Sequence, residues 1–327
     1  MLDSLDKHKE INMENNILAY AAGVMDGDGS FSIFKRKPGK TGVSPLYFPM
    51  IQLANKNKDL VDFLIKEFKG RLFTRKAYTK DGSTRLPSHQ WFLEKSAMCL
   101  PFLEKIIPYL VIKKERAEFL KEFITSNPKQ GRVVLSQDIL QERELSYMKM
   151  RSFNDKRVST DSFSRKSSKN SEKLEFWAYL AGLFDTDGSF SIKKEFNDIK
   201  MINPKYSSQI LLSMTDIKGI NFLIENCPLG SVFTSIAKTC KKGMVYRFGI
   251  YTREESISFL EKIIPFLQSK KNQALKLLEF CNGFSTTRYN RGGVDVHELD
   301  FREDCYECIR QLNKYGVYKP SLIGLEG

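Results

Sequence analysis

Histidine is scarce in this chain: His8, His89 and His297 are the only three among 327 residues, and they form no sequence cluster. That weakens any catalytic class built on a histidine base. Cysteine is sparse too. Cys99, Cys227, Cys240, Cys281, Cys305 and Cys308 are scattered through a chain too long to need covalent staples, so reduced thiols are expected. Cys305-Tyr-Glu-Cys308 is the only close pair, and it lacks the two further, regularly spaced ligands of a structural zinc site. Long apolar runs are missing as well. No stretch approaches the roughly 20 residues of a spanning helix, and Met1 to Asn16 is polar with charges of both signs. The sequence therefore reads as a soluble, intracellular chain without a membrane partner, whether in a bacterial cytoplasm or an organelle matrix.

Charge is what the chain has in excess. Its 52 Lys and Arg against 39 Asp and Glu leave a formal +13, more than solubility asks of a domain. An acidic polymer is the implied partner. Nucleic acid comes first, because neutralising phosphates with Lys and Arg releases counterions and drives non-specific binding.

The chain also repeats itself. Ala19-Tyr-Ala-Ala-Gly-Val-Met-Asp-Gly-Asp-Gly-Ser-Phe-Ser-Ile33 matches Ala178-Tyr-Leu-Ala-Gly-Leu-Phe-Asp-Thr-Asp-Gly-Ser-Phe-Ser-Ile192 at 11 of 15 positions, 159 residues apart. Downstream, Phe102-Leu-Glu-Lys-Ile-Ile-Pro-Tyr-Leu110 parallels Phe259-Leu-Glu-Lys-Ile-Ile-Pro-Phe-Leu267, each followed by a lysine pair, Lys113-Lys114 and Lys270-Lys271. From Asp28 to Lys113 is 85 residues, and from Asp187 to Lys270 is 83. The repeating unit is a whole domain.

Hydrophobic periodicity gives each copy the order αββαββα, an α+β fold. In the first copy helices are expected at Asn16 to Gly27, Lys58 to Phe68, Ala97 to Ile107 and Lys114 to Thr125. Strands are expected at Ser30 to Lys37, Leu46 to Asn55, Arg71 to Tyr78 and Ser88 to Leu93. The second copy follows with helices Leu174 to Thr186, Ile217 to Glu225, Glu254 to Ile263 and Asn272 to Phe280. Its strands fall near Ser189 to Glu195, Ser207 to Met214, Ser231 to Ile236 and Val245 to Tyr251. The domains are thus 14–126 and 172–285. A basic linker with a short helix, Gln137 to Lys149, spans 127–171, and a helical extension at 286–327, with a helix from Val296 to Leu312, has no counterpart in the first copy.

Small residues recur four apart in the duplicated helix: Ala19, Gly23 and Gly27, then Ala178, Gly182 and Thr186. That spacing lines one helix face with a bare ridge, so two such helices can pack backbone to backbone. Their ends, Asp-Gly-Asp-Gly and Asp-Thr-Asp-Gly, then deliver acids from both copies to one place. Helix C-termini already carry negative partial charge and free carbonyls, so carboxylates there call for a cation. Mg²⁺, or another divalent metal, takes one or two carboxylates and keeps other positions for water and phosphate, the layout of phosphodiester hydrolysis. A single Asp-x-Asp-Gly would read as a cap or turn; the duplication favours function.

These motifs, Ala-Ala-Gly-Val-Met-Asp-Gly-Asp-Gly at 21–29 and Leu-Ala-Gly-Leu-Phe-Asp-Thr-Asp-Gly at 180–188, resemble those of the LAGLIDADG homing endonucleases in their single-chain form. The resemblance covers nearly all of residues 14–285. It implies that Asp28 and Asp187 bind metal together with the carbonyls of Gly27 and Thr186, while Asp26 and Asp185 are structural. It further implies that Lys113 and Lys270 lie near the scissile phosphate and that Asn55 positions water, its counterpart near Met214 to Asp216 departing from the pattern. Cleavage of both strands of a long double-stranded site that an intron or intein interrupts, leaving short 3′ overhangs, is also implied.

Each four-stranded antiparallel sheet would have one face under helices and one open, together a DNA-binding saddle. With Phe31 and Ile33 facing the core, Ser30, Ser32, Phe34 and Arg36 point outward, as do Ser189, Ser191, Lys193 and Glu195. The same alternation assigns Gln52, Arg75, Gln90 and Arg247 to the groove-reading surface. The two sets differ, which predicts an asymmetric target read by a monomer. Rival readings are an intron-RNA splicing maturase with this fold and a transcription regulator, both opposed by intact Asp28 and Asp187. The nuclease of a splicing intein is disfavoured by the Met1 start and the Leu325-Glu-Gly327 end. Gly249-Ile-Tyr251 echoes another nuclease motif but lies in a predicted strand.

Overall fold

A computed structural model describes residues 2–38, 44–80, 83–85, 87–127, 136–153, 172–196, 203–236, 244–283 and 295–315. In the first half, α1 (Leu2–Gly27) leads into β1 (Gly29–Arg36) and β2 (Leu46–Asn55), then α2 (Lys58–Phe68) and β3 (Arg71–Arg75). A small hairpin of β4 (Tyr78–Lys80) and β5 (Ser83–Arg85) precedes β6 (Ser88–Leu93), α3 (Ser96–Ile106), a single 3-10 turn, α4 (Lys114–Ser126) and α5 (Gln137–Ser152). The second half repeats this as α6 (Leu174–Asp187), β7 (Gly188–Glu195), β8 (Lys205–Met214), α7 (Ile217–Asn226), β9 (Ser231–Ile236), β10 (Met244–Ile250), α8 (Arg253–Ile263), α9 (Lys271–Asn282) and α10 (Val296–Tyr315). The sheets are antiparallel with equivalent orders, β1-β2-β6-β3 and β7-β8-β10-β9.

Local chemistry accounts for the element starts nearest the site. Asn57 caps α2 by accepting from the Asp59 amide, and Asp216 caps α7 by accepting from Lys218. The α6 helix is buried on every side from Phe176 to Asp185, as a helix at the centre of a molecule must be. It packs against α1, and the two sheets flank the pair.

Three expectations are corrected. The strand foreseen from Arg71 to Tyr78 stops at Arg75, and the chain continues into the separate β4-β5 hairpin, because β3 is an edge strand with all five residues exposed. The first helix runs back to Leu2 rather than starting at Asn16. The terminal helix α10 does have a counterpart, which is α5. Glu144 of α5 accepts hydrogen bonds from Lys35 and Tyr47, and Glu303 of α10 accepts them from Lys194 and Tyr206. The rings of Tyr147 and Tyr306, three residues on, meet Tyr47 and Tyr206 in turn. These pairs lie 159 residues apart, the offset of the main motif, so Arg143-Glu-x-x-Tyr147 and Arg302-Glu-x-x-Tyr306 belong to the repeat. The short motif was visible but too sparse to stand out in helices of mixed polarity. The Ser-, Lys- and Arg-rich run at 154–171 lies outside the described residues.

Candidate active site

The α1–α6 crossing brings the two halves together, and glycine sets its closeness. A Cβ on Gly23 would stand 2.0 Å from the Tyr179 carbonyl oxygen, and one on Gly182 would stand 2.1 Å from that of Tyr20. Backbone touches backbone, which only a residue without a side chain allows. At the ends of the helices Gly27 makes room for Thr186, whose Oγ1 would lie 1.9 Å from a Cβ at position 27. Thr186 donates its hydroxyl to the Leu183 carbonyl at 2.8 Å, inside its own helix.

Asp26 and Asp185 are buried struts. Asp26 accepts hydrogen bonds from the amides of Val111, Ile112 and Lys113 at 2.8–3.0 Å and from the Tyr179 hydroxyl of the opposite half at 2.9 Å. Asp185 accepts from Gln268, Ser269 and Lys270 at 2.7–3.1 Å and from the Tyr20 hydroxyl at 2.7 Å. Each carboxylate therefore ties the segment entering α4 or α9 to the helix end and also locks the two halves together. Burial raises both carboxyls above the ordinary aspartate range, against the pull of these bonds.

That strut aims the lysine behind it. Lys113 Nζ donates to the carbonyls of Met25, Gly27 and Gly29 at 3.0, 2.7 and 2.7 Å, and Lys270 Nζ donates to those of Phe184, Thr186 and Gly188 at 2.9, 3.0 and 2.6 Å. The carbonyls left over at each helix terminus are thus satisfied by a cation. Lys114 and Lys271, left open as alternatives by spacing alone, are exposed. Burial lowers the Lys113 ammonium to about 8 and shifts Lys270 the same way, opposed by the nearby aspartates.

Asp28 and Asp187 follow the struts at the helix ends. The Asp187 carboxyl is raised first by burial and then by the negative charge of Asp28, so the two acids share one electrostatic environment. Their settings differ. Asn55, ending β2, donates from Nδ2 to Asp28 at 2.7 Å, and its Oδ1 accepts from the Asn57 amide, which fixes the amide orientation. The equivalent end of β8 carries Met214, since Gly29 pairs with Leu53 in one sheet and Gly188 with Leu212 in the other. Asn57 donates to Ser269 at 2.5 Å across the halves, whereas near Asp187 the cross-link is Lys218 to Glu115 at 2.7 Å. A cleft of about 460 Å³ opens there, reached by Asp187, Lys113, Arg116, Met214 and Asp216. Sequence reasoning missed Ser269, Asn57 and Arg116; only Asn57, as a helix cap, carried a local signal.

The donor set suits a hard divalent cation: two carboxylates and the Gly27 and Thr186 carbonyls, each with a lone pair beyond the one its lysine uses. Among the described residues no group of three or more His, Cys, Asp or Glu side chains converges as a metal cage. Cys305 and Cys308 are buried thiols, and burial pushes Cys305 up to about 12.

No protein-family model matches the sequence. Solved structures do match its fold over almost the whole chain. I-SmaMI, bound to an uncleaved DNA target in the presence of calcium ions, aligns with a TM-score of 0.62 at 16 % identity, covering 90 % of this chain and 98 % of its own. I-GzeII, a LAGLIDADG homing endonuclease in complex with a DNA target, gives 0.62 at 14 % identity and covers 89 % and 97 %. The LAGLIDADG meganuclease I-CpaMI, bound to uncleaved DNA, gives 0.57 at 13 % and covers 89 % and 98 %. The fold is that of the LAGLIDADG homing endonucleases.

Within this LAGLIDADG fold the sheet register decides which side chains share the open faces. Ser30 pairs with Gln52, Gln52 with Phe92, Gln90 with Phe73 and Ser88 with Arg75. Ser30, Ser32, Phe34, Arg36, Gln52, Gln90 and Arg75 therefore lie on one face, opposite the buried Phe31 and Ile33. In the other sheet Ser189 pairs with Leu211 and Leu211 with Gly249, which sets Ser189, Ser191, Lys193, Glu195 and Arg247 on the corresponding face. Lys193 and Glu195 form an ion pair with each other. Gly249 and Ile250 close β10 and are buried, and Tyr251 follows the strand, so the Gly-Ile-Tyr echo falls at a strand end. Among the described residues no helix is long and apolar enough to cross a membrane.

Proposed function

We propose that this protein is a site-specific DNA endonuclease that hydrolyses both strands of a long, asymmetric duplex with divalent metal, Mg²⁺ first among the candidates. The observation that carries this reading is the convergence of Asp28 and Asp187 at the end of the α1–α6 crossing, between two sheets whose open faces carry Arg, Lys, Gln and Ser. One solved relative of the fold, I-SmaMI, seen bound to an uncleaved DNA target with calcium ions and to cleaved DNA, supports it.

Asp28 and Asp187, with the Gly27 and Thr186 carbonyls, would hold the metal. Bound there, it would supply Lewis-acid stabilisation of the phosphate and an activated water. Lys113 and Lys270 keep the helix-end carbonyls in place and set positive charge beside the phosphate that is to be cut. Asn55 holds Asp28 in one rotamer and offers its amide to a water on that side. Because one chain supplies both acids and both sheets, a monomer suffices, and unequal faces suit a target without a palindrome.

Incubation with a library of intron-insertion junctions, with and without Mg²⁺, tests the proposal. Wild type should linearise one member with short 3′ overhangs only when metal is present, and Asp28→Asn and Asp187→Asn should each abolish cutting while still binding it. Full-rate cutting by both variants would sink the assignment. Tight binding to a structured intron RNA without DNA cleavage would instead favour the maturase reading.

A further inference from the structure

The open faces of the two sheets are made of different chemistry. On the first, Phe34 of β1 pairs across the strand with Phe48 of β2, ring centroids 5.4 Å apart, and Phe92 of β6 and Phe73 of β3 lie further along the same face. Phe34 is 47 % exposed and Phe73 is 51 % exposed, a large apolar area to leave in water. On the second sheet Lys193 and Ser207 stand where Phe34 and Phe48 do and Gly249 stands where Phe92 does, while the position of Phe73 keeps a ring, Phe233, which is 51 % exposed and packs on Tyr251 at 5.9 Å.

The apolar face is not an ordinary protein-docking patch, because its rings carry cations. The Arg36 guanidinium lies over the Phe48 ring at 5.3 Å, and that of Arg71 lies over Phe92 at 5.6 Å. A second copy of the chain docked there by two-fold symmetry would set these arginines against their own equivalents. A duplex would meet them with phosphates. In the major groove the one apolar group is the thymine 5-methyl, and a phenylalanine ring is a suitable surface to cover it.

We infer that the first sheet reads its half of the target through thymine methyl groups seated on Phe34, Phe48, Phe73 and Phe92, while the second sheet, with rings only at its Phe233 edge, reads its half mainly by hydrogen bonds from Ser, Gln, Lys and Arg. The inference rests on the endonuclease reading and adds to it the base composition of one half-site. Arg36 contributes twice, by holding its ring and by drawing a flanking phosphate onto it, whereas Arg71, ion-paired with Glu94 at 3.0 Å, holds its ring. Covering one methyl on a ring corresponds to about a fourfold gain in affinity.

The test uses two random-sequence duplex libraries, one made with thymidine and one with deoxyuridine, which lacks only that methyl. Full-length protein in EDTA selects duplexes from each by binding. The thymidine library should yield a site with one thymine-rich half, and replacing thymidine by deoxyuridine in that half alone should weaken binding about fourfold per contacted base. The same replacement in the other half should weaken binding at fewer positions, those facing Phe233 and Tyr251. Phe34→Ser and Phe73→Ser alter exposed side chains, so folding is retained, and each should remove part of the thymidine preference in that half and none elsewhere. A selected site that loses nothing, or loses equally in both halves, when deoxyuridine replaces thymidine overturns this inference and leaves the endonuclease reading intact. Self-association through this face overturns the inference alone, and retention of no duplex at all overturns both.

Discussion

Replacing Gly182 by alanine tests the geometry on which the whole site depends. The new Cβ would fall 2.1 Å from the Tyr20 carbonyl oxygen and 2.8 Å from the Val24 nitrogen. An ordinary carbon–oxygen contact is about 3.3 Å or more, so the helices must part by roughly 1.2 Å. No rotamer change can relieve this, since both obstacles are backbone. Overpacking of a core typically costs ~1–3 kcal/mol. Here the separation also stretches the Tyr20–Asp185 and Tyr179–Asp26 hydrogen bonds, which lie on the same interface, so a loss of about 3 kcal/mol or more is expected. Urea denaturation followed by far-ultraviolet circular dichroism reads it as a lower midpoint, and Gly23→Ala should behave alike because its clash is the mirror of this one. Leu174→Ala, at an exposed position on the same helix, is the control. Cleavage should fall further than stability, because parting the helices also parts Asp28 from Asp187. A Gly182→Ala protein with an unchanged midpoint and wild-type cutting would refute the reasoning.

Lys113→Met should lower cleavage about 100-fold while duplex binding stays within about twofold, since the amine serves carbonyls at the site rather than the reading face; gel-shift and cleavage assays on one target separate the two. Tyr20→Phe and Tyr179→Phe each remove one donor from a buried carboxylate and should cost ~1–3 kcal/mol in a urea titration. Asn55→Met should slow cutting of one strand by about tenfold and leave the other near wild type, visible as accumulation of nicked plasmid, with Met214→Asn acting on the opposite strand. Cys305, whose thiol burial holds at about 12, should resist alkylation at pH 8 until the protein is denatured.

Much of this molecule was legible before any coordinates. The 159-residue repeat, the four-residue spacing of small side chains and the acids after them predicted two like halves joined through a close helix pair, because periodicity and side-chain size are properties of sequence. Strand alternation placed Gln52, Arg75, Gln90 and Arg247 on the open faces, as the cross-strand register does. The choice of Lys113 over Lys114 was not legible in the spacing. It follows from Asp26 gripping three successive amides 85 residues downstream, a contact with no local signature. Nor could spacing reveal that Asn55 and Met214 occupy equivalent ends of paired strands, or that rings from four separate strands share one face of the first sheet. A sequence states which residues alternate and repeat, whereas only packing states which of them meet, because contact between distant segments depends on register and on how closely two backbones approach.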